Sequence, residues 1–307
     1  MTGHEAVLKR EALEGLVVNE SGTYVDCTYG RGGHAEQILE RLNENGRMMV
    51  IDKDIEAINH ANQRFAGDSR VTVMHGSFRH IKSFCEEAGF NQVDGIFIDL
   101  GISSPQIDQA ERGFSFDRDG PLDMRMDQTR GETVSEWLQR AEPKDISYVL
   151  YKYGEEKFSR RIARNICTAR EAGPIETTHA LVSIIEDSIP RRDPHKHPAT
   201  RSFQALRIFI NDELGDLEVC LEDSLASLSI GGRLVVISFH SLEDRIVKRF
   251  IRTKARGEEL PSRFPIRDAD IKRFVKIIGK PVKPSDEEVD RNRRSRSSIM
   301  RIAEKIG

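Results

Sequence analysis

The first hundred residues alternate between two hydrophobic periods. Tyr24-Val25-Asp26-Cys27-Thr28 reads as a short strand, Gly30-Arg31-Gly32-Gly33 as a turn, and Ala35 to Leu42 carries helical spacing. Arg47 to Asp52 is a second strand, after which Asp54 can cap a helix from Ile55 to Phe65. Val71 to Met74 is a third strand, Ile81 to about Ala88 a helix, and Val93 to Asp99 a fourth strand, apolar on both faces apart from its ends. Buried strands alternating with helices make a parallel sheet with helices on its faces.

From about Pro105 to Thr200 almost no strand signal remains. Ser135 to Arg140, Asp145 to Tyr153, Glu155 to Ala172 and Thr178 to Ser188 read as helices, punctuated by Pro143, Pro174, Pro190, Pro194 and Pro198. A long helix, roughly Phe203 to Leu228, leads into a strand at Gly232 to Ser238, and further strands are expected at Phe274 to Ile278 and Ser298 to Ile302. The economical architecture is an α/β fold, doubly wound and Rossmann-like, formed by residues 1–104 and 205–307. A helical insertion, residues 105–204, interrupts it after the fourth strand, at the sheet edge where α/β proteins build their sites.

Composition narrows the function classes. No apolar run reaches the roughly 18 residues that a membrane-spanning helix needs. The opening stretch has no apolar core of a secretory signal, so none is expected. Cys27, Cys85, Cys167 and Cys220 are far apart and form no CxxC pair, which argues against a zinc site or a disulfide framework and suits a reducing cytoplasm. The histidines show no metal-ligand pattern either. The net charge of −3 hides an asymmetry: Arg245 to Gly307 carries a balance of +10 and the rest of the chain −13. A basic end on an acidic body suits a polyanionic partner, although a solvated charged surface is the plainer reading.

The turn after the first strand is the first candidate site. Gly30-x-Gly32-x-x-Ala35 satisfies the dinucleotide fingerprint, and Asp52 at the end of the second strand is placed to accept from both ribose hydroxyls. A lone glycine pattern also fits a plain tight turn; the strand–turn–helix setting together with Asp52 favours a nucleotide. Asp26 decides which one. It ends the first strand beside the ligand's middle, where a pyrophosphate would be repelled and a cationic centre attracted. Asp99 adds a second carboxylate on the same edge. The pair favours S-adenosylmethionine, with its ammonium and sulfonium, over NAD, unless Asp26 is merely a turn carboxylate.

Directly after Asp99 comes Leu100-Gly101-Ile102-Ser103-Ser104-Pro105-Gln106. The exocyclic amine of cytosine or adenine is conjugated with its ring and is a poor nucleophile. Hydroxyls and carbonyls that accept its hydrogens can turn the lone pair toward a methyl group, and proline stiffens such a loop. Ser103, Ser104 and Pro105 are therefore the candidate catalytic residues. The segment resembles the Ser/Asp/Asn-Pro-Pro-aromatic signature of amino methyltransferases, with Gln106 in place of the second proline. Phe114 and Phe116 are expected either to supply the missing stacking surface or to be core. Carbon-5 methylation is disfavoured, because it needs a cysteine nucleophile and no cysteine follows a proline; Cys27 reads as a small buried strand residue.

Taken together, these motifs resemble the bacterial small-subunit ribosomal RNA (cytosine-N4)-methyltransferase family, known as RsmH or MraW. The matching stretches span nearly the whole chain. They include His4-x-x-Val7-Leu8, Gly30 to His34, Asp99 to Gln106, Glu111 to Phe116, Gly120 to Met126, Tyr153 to Glu156, His197 to Arg201 and Ile237 to Arg245. The resemblance implies S-adenosylmethionine as donor and a decoding-region cytidine as acceptor. It maps cofactor contacts onto Gly32, Gly33, His34, Asp52, Phe78, Asp99 and Gln106, beside the Asp26 and Gly30 read from the turn itself. Phe78 would stack on adenine, where the residues alone suggest core.

The implied partner is small-subunit ribosomal RNA, free or within the assembled subunit, met by a monomer or homodimer in the cytoplasm. Arg160, Arg161, Arg164, Arg191, Arg192, Lys196, Lys248, Arg249, Arg252, Arg293, Arg294 and Arg296 are candidates to hold its phosphates. Two other readings stand beside this one: an NAD-dependent oxidoreductase built on the glycine turn, and a non-catalytic ribosome-assembly factor that keeps the fold.

Overall fold

The structure, a computed structural model, describes residues 6–190, 197–257 and 271–307. It divides into a sheet unit, Met1–Gly101 with Leu214–Gly307, and a helical unit, Ile102–Glu213.

Seven strands form the sheet: β1 (Thr23–Asp26), β2 (Arg47–Asp52), β3 (Val71–His75), β4 (Val93–Asp99), β5 (Leu228–Ser238), β6 (Val275–Val282) and β7 (Ile299–Lys305). Their order is β3-β2-β1-β4-β5-β7-β6. The first five run parallel, while β7 is antiparallel to both β5 and β6. Strand order reverses between β1 and β4, and such a switch point opens a crevice at the strands' carboxyl ends. Asp26, Asp52 and Asp99 are the last residues of the three adjacent strands β1, β2 and β4.

Alternation along each strand builds two apolar layers. Tyr24, Met48, Val50, Phe97, Val235 and Ile237 meet α1 (Lys9–Leu16), α2 (Gly33–Arg41) and α3 (Ile55–Arg64). On the other face Val25, Met49, Ile51, Ile96, Ile98 and Val236 pack with α4 (Ile81–Glu87), α11 (Glu213–Ser227) and α12 (Ser241–Arg256). Each large aliphatic buried this way contributes about 1.5–3 kcal/mol. Asp54 caps α3 as expected, accepting from the Glu56 N–H at 3.0 Å. The Ser238–Arg245 stretch is a capping box: Glu243 accepts from the Phe239 and His240 N–H groups at 2.8 and 3.1 Å.

The helical unit contains α5 (Ser104–Asp108), α6 (Val134–Arg140), α7 (Pro143–Gly154), α8 (Ser159–Ala172), α9 (Thr178–Ser188) and α10 (Thr200–Ile210). Trp137, Ile146, Leu150, Ile162, Ile166, Leu181 and Leu206 form its core. The Glu111–Phe116 motif serves this core. Arg112 is 2% exposed and donates to the carbonyls of Arg125 and Met126, pinning the Gly120–Met126 loop.

Several expected boundaries move. The helix foreseen from Phe203 to Leu228 is two helices, because the Asn211 side chain leaves the helical path to bond the Met124 carbonyl and the Met126 N–H, and Asp212 takes a positive φ. The α8 start shifts from Glu155 to Ser159, where Glu156 turns back to accept from the Phe158 N–H. Strand β5 begins at Leu228 rather than Gly232, with a register irregularity opposite Val93 and Gly95.

Candidate active site

Beyond Asp26 the chain threads between two strands. The Cys27 N–H bonds the Phe97 carbonyl at 2.9 Å and the Tyr29 N–H bonds the Ile51 carbonyl at 3.0 Å. The chain then turns at Gly30 and Gly32, both at positive φ. Gly32 also precedes α2, and a Cβ there would come within 2.8–3.0 Å of the Tyr29 ring. No other residue fits this turn without strain.

The carboxylates converge on the turn. Asp26, 1% exposed, accepts from the Thr28 N–H at 3.0 Å, and the Thr28 hydroxyl accepts from the Asp99 N–H at 2.7 Å. Asp52 accepts from Gly30 and Asp54 N–H groups, each at 2.8 Å, one on each oxygen, and the Lys53 N–H adds a further backbone hydrogen bond. Burial pushes Asp26 up to about 7, resisted by the Thr28 hydrogen bond and by His34 and reinforced by Asp99 and Asp52. Burial likewise raises Asp52 to about 6 against its backbone hydrogen bonds. His34, on the first turn of α2, packs against Phe97 with its ring tilted to it by 46° and brings Nε2 to 3.6 Å from Asp99 Oδ2. Both His34 Nε2 and Asp99 Oδ1 are buried without a hydrogen-bond partner among the described residues. Asp26, Gly30, Gly32, Gly33, His34, Asp52 and Asp99 are thus one cluster within the sheet unit.

Phe78 lies in a short 3-10 turn just after β3 and is half-buried against the core layer that holds Ile81, a placement that leaves part of its ring accessible. Cys27 is buried and its thiol is pushed up by that burial, with Cys220 beside it, so it is a core residue.

The Ser103–Gln106 segment differs from the extended loop expected. Ser103 is the N-cap and Ser104 already helical, the first residue of α5, so the extended residue falls one position earlier than the proline rule predicts. Pro105 sits in the first turn, where its missing N–H costs nothing. Gln106, 4% exposed, accepts from the Ser103 N–H at 3.0 Å, a capping role that the S-x-x-Q spacing already contained. These four residues belong to the helical unit. Phe114 is buried, so it offers no stacking face, while Phe116 is half-buried, edge-on to Phe203 at 4.9 Å and tilted against His197 at 4.5 Å.

One group leaves no trace in the sequence pattern. Asp216 on α11, 3% exposed, gathers Lys53, Ser77 and Arg79 from the loops that follow β2 and β3. Partners this distant in the chain give no local signal. Of the cationic candidates, Arg160, Arg161, Arg164, Arg252, Arg293, Arg294 and Arg296 are exposed and Lys248 half-buried, while Arg249 is paired with Glu218 at 3.3 Å. Arg191, Arg192 and Lys196, and His4 of the N-terminal motif, lie outside the described residues. Among the described residues no group of three or more His, Cys, Asp or Glu is arranged to hold a metal, and no helix is long and apolar enough to cross a membrane.

Known proteins match this chain from end to end. A family model described as the MraW methylase family matches residues 1–306. The ribosomal RNA small subunit methyltransferase H of Shewanella woodyi is 51% identical over 306 residues, covering 99% of this chain and 97% of its own. The protein of the same name from Pseudoalteromonas atlantica is 49% identical, covering 99% and 98%. Among solved structures, an rRNA methylase from Streptococcus thermophilus superposes with a TM-score of 0.42 at 11% identity, covering 96% of this chain and 92% of that one. A likeness that loose adds nothing to the architecture already described. The full-length family match and the half-identical relatives agree with the resemblance carried by the motifs: this chain belongs to the MraW methylase family.

Proposed function

We propose that the chain transfers a methyl group from S-adenosylmethionine to the exocyclic N4 amine of a cytidine in the decoding region of small-subunit ribosomal RNA. The family supports methylation and the relatives' name supports the ribosomal RNA acceptor. One observation carries the donor: Asp26, Asp52 and Asp99, the last residues of β1, β2 and β4, rim the Gly30–Gly33 turn. Such a rim attracts a ligand with a cationic middle and repels the pyrophosphate of a dinucleotide.

The residues present fit that donor. Asp99 Oδ1 is a buried acceptor without a donor among the described residues, and the Asp52 carboxylate at the end of β2 is a hydrogen-bond acceptor suited to ribose hydroxyls. Gly32, Gly33 and His34 would line the near side, Phe78 would meet the adenine, and Gln106 would add a polar contact. When bound, S-adenosylmethionine would supply a methyl carbon activated by its sulfonium: the amine nitrogen would bond to that carbon as the carbon–sulfur pair passes to sulfur, S-adenosylhomocysteine would leave, and the amine would give up one proton to solvent. Ser103 and Ser104, held by the Pro105 turn, would accept the amine's hydrogens and turn its lone pair toward the carbon. Alignment and exclusion of water then contribute most of the rate. The target base must be unpaired or flipped, at a cost of a few kcal/mol. The helical unit, with Arg160, Arg161 and Arg164 exposed along α8, would serve substrate recognition.

The test is transfer of labelled methyl from S-adenosylmethionine to small ribosomal subunits, or to their free RNA, taken from cells lacking this protein. Label mapped by mass spectrometry to a cytidine N4 supports the reading. RNA binding without label would favour an assembly factor, and calorimetric binding of NAD in place of the donor would favour an oxidoreductase.

A further inference from the structure

Asp216 joins segments that the chain keeps far apart. Its Oδ2 receives the Ser77 hydroxyl at 2.6 Å and the Lys53 ammonium at 2.5 Å, and its Oδ1 receives Arg79 Nη1 at 2.9 Å. Lys53 follows Asp52 directly. Ser77 precedes Phe78 and also accepts from the Arg79 N–H at 3.1 Å, which shapes the turn on which Phe78 sits. The Gly76 N–H bonds the Asp52 carbonyl at 2.8 Å, so the two loops are tied to each other as well as to α11.

We propose that Asp216 is a positioning residue for the adenosine half of the methyl donor, acting through the loops that present Asp52 and Phe78. The inference rests on the reading that those two residues hold the donor. Its physical basis is charge in a nearly dry place. The Asp216 side chain is 4% exposed and that of Lys53 14%. Without the carboxylate, Lys53 loses the ion pair that holds it to α11, and the backbone next to Asp52 loses that tether. Ser77, 2% exposed, would at the same time lose its ionised acceptor, which weakens the bond that holds the Phe78 turn. Asp26 and Asp99 are not partners of this cluster, so the cationic half of the donor keeps its own partners. Asp216 therefore governs donor affinity and leaves methyl transfer from the bound donor nearly intact.

The experiment uses the full chain with Asp216→Asn, which keeps the size and drops the charge. Steady-state methyl transfer to small subunits is measured beside calorimetric binding of adenosine and S-adenosylhomocysteine. The expected result is a donor KM raised roughly tenfold, with kcat within about twofold and the KM for subunits unchanged. Adenosine and S-adenosylhomocysteine weaken by the same factor. A lower kcat at unchanged donor KM is what a smaller folded fraction produces, and it overturns the proposal, as does unchanged affinity for both ligands. Ser77→Ala, which leaves the Lys53 and Arg79 pairs in place, is expected to weaken both ligands about threefold. It decides the matter if Asp216→Asn does not fold, and undiminished binding by it then overturns the proposal. Should the unaltered protein bind no S-adenosylhomocysteine, the donor reading itself fails first, and that outcome is separable from a failure of Asp216 alone.

Discussion

His34 and Asp99 stand 3.6 Å apart, Nε2 to Oδ2, beside the glycine turn. The spacing is set by packing: the His34 ring packs against Phe97, two residues before Asp99 on β4, with centroids 4.4 Å apart. The sheet thus fixes a potential donor and an acceptor near each other, slightly beyond hydrogen-bond length, where a ligand group can engage the carboxylate.

Titration of the rim follows from its burial. Asp26 is raised to about 7 and Asp52 to about 6, so between the usual carboxylate range and those values the native state holds protons that the unfolded chain has released. Their contribution to donor-free stability therefore falls as pH rises from about 4 to 7. Affinity for a cationic donor runs the other way and rises over about pH 5.5–7.5, by up to roughly tenfold per unit. Calorimetry with S-adenosylmethionine across that range should show the rise, and Asp26→Asn should flatten it and bind more weakly throughout.

Gly32→Ala should cost on the order of 1–3 kcal/mol, because its φ of 80° and the Tyr29 ring both oppose a side chain. Thermal unfolding gives the stability change. Donor affinity should fall further than the stability loss alone explains, since the ring that yields lines the same turn.

Ser103 carries a structural and a proposed chemical role, and two substitutions separate them. Ser103→Gly keeps the N-cap to within a few tenths of a kcal/mol, whereas Ser103→Ala costs about 1 kcal/mol. If the hydroxyl holds the amine, both lower kcat at saturating donor by a similar factor, about tenfold or more. Near-normal rates for Ser103→Gly and Ser104→Ala together would remove the serines from the chemistry.

Exposed arginines should announce themselves through salt. Replacing Arg160, Arg161 and Arg164 with glutamine should flatten the slope of log affinity for small-subunit RNA against log salt, by roughly 0.7–0.9 for each phosphate no longer neutralised. An unchanged slope would mean these arginines are solvated surface.

The strand ends are legible because period and residue type agree there: β1 to β4 are short apolar runs closing on an acid or beside a glycine turn, and Asp54 announces α3. The Ser103 segment departs from expectation for a physical reason. Proline argues for extension one residue later, yet the Ser103–Gln106 capping pair outweighs it and starts a helix. The break at Asn211 has no local cause either, since its partners at Met124 and Met126 lie in a different loop. Asp216 illustrates the same limit at the site, being joined to Ser77 across 139 positions.

Because β5 pairs directly with β4, the central sheet cannot be finished until the whole helical unit has been translated. A nascent chain halted near Glu213 would present β4 with one open edge and would lack the α11 carboxylate that draws the β2 and β3 loops together. The sheet edge beside Asp99 and the carboxylate on α11 are thereby completed only in the last third of synthesis.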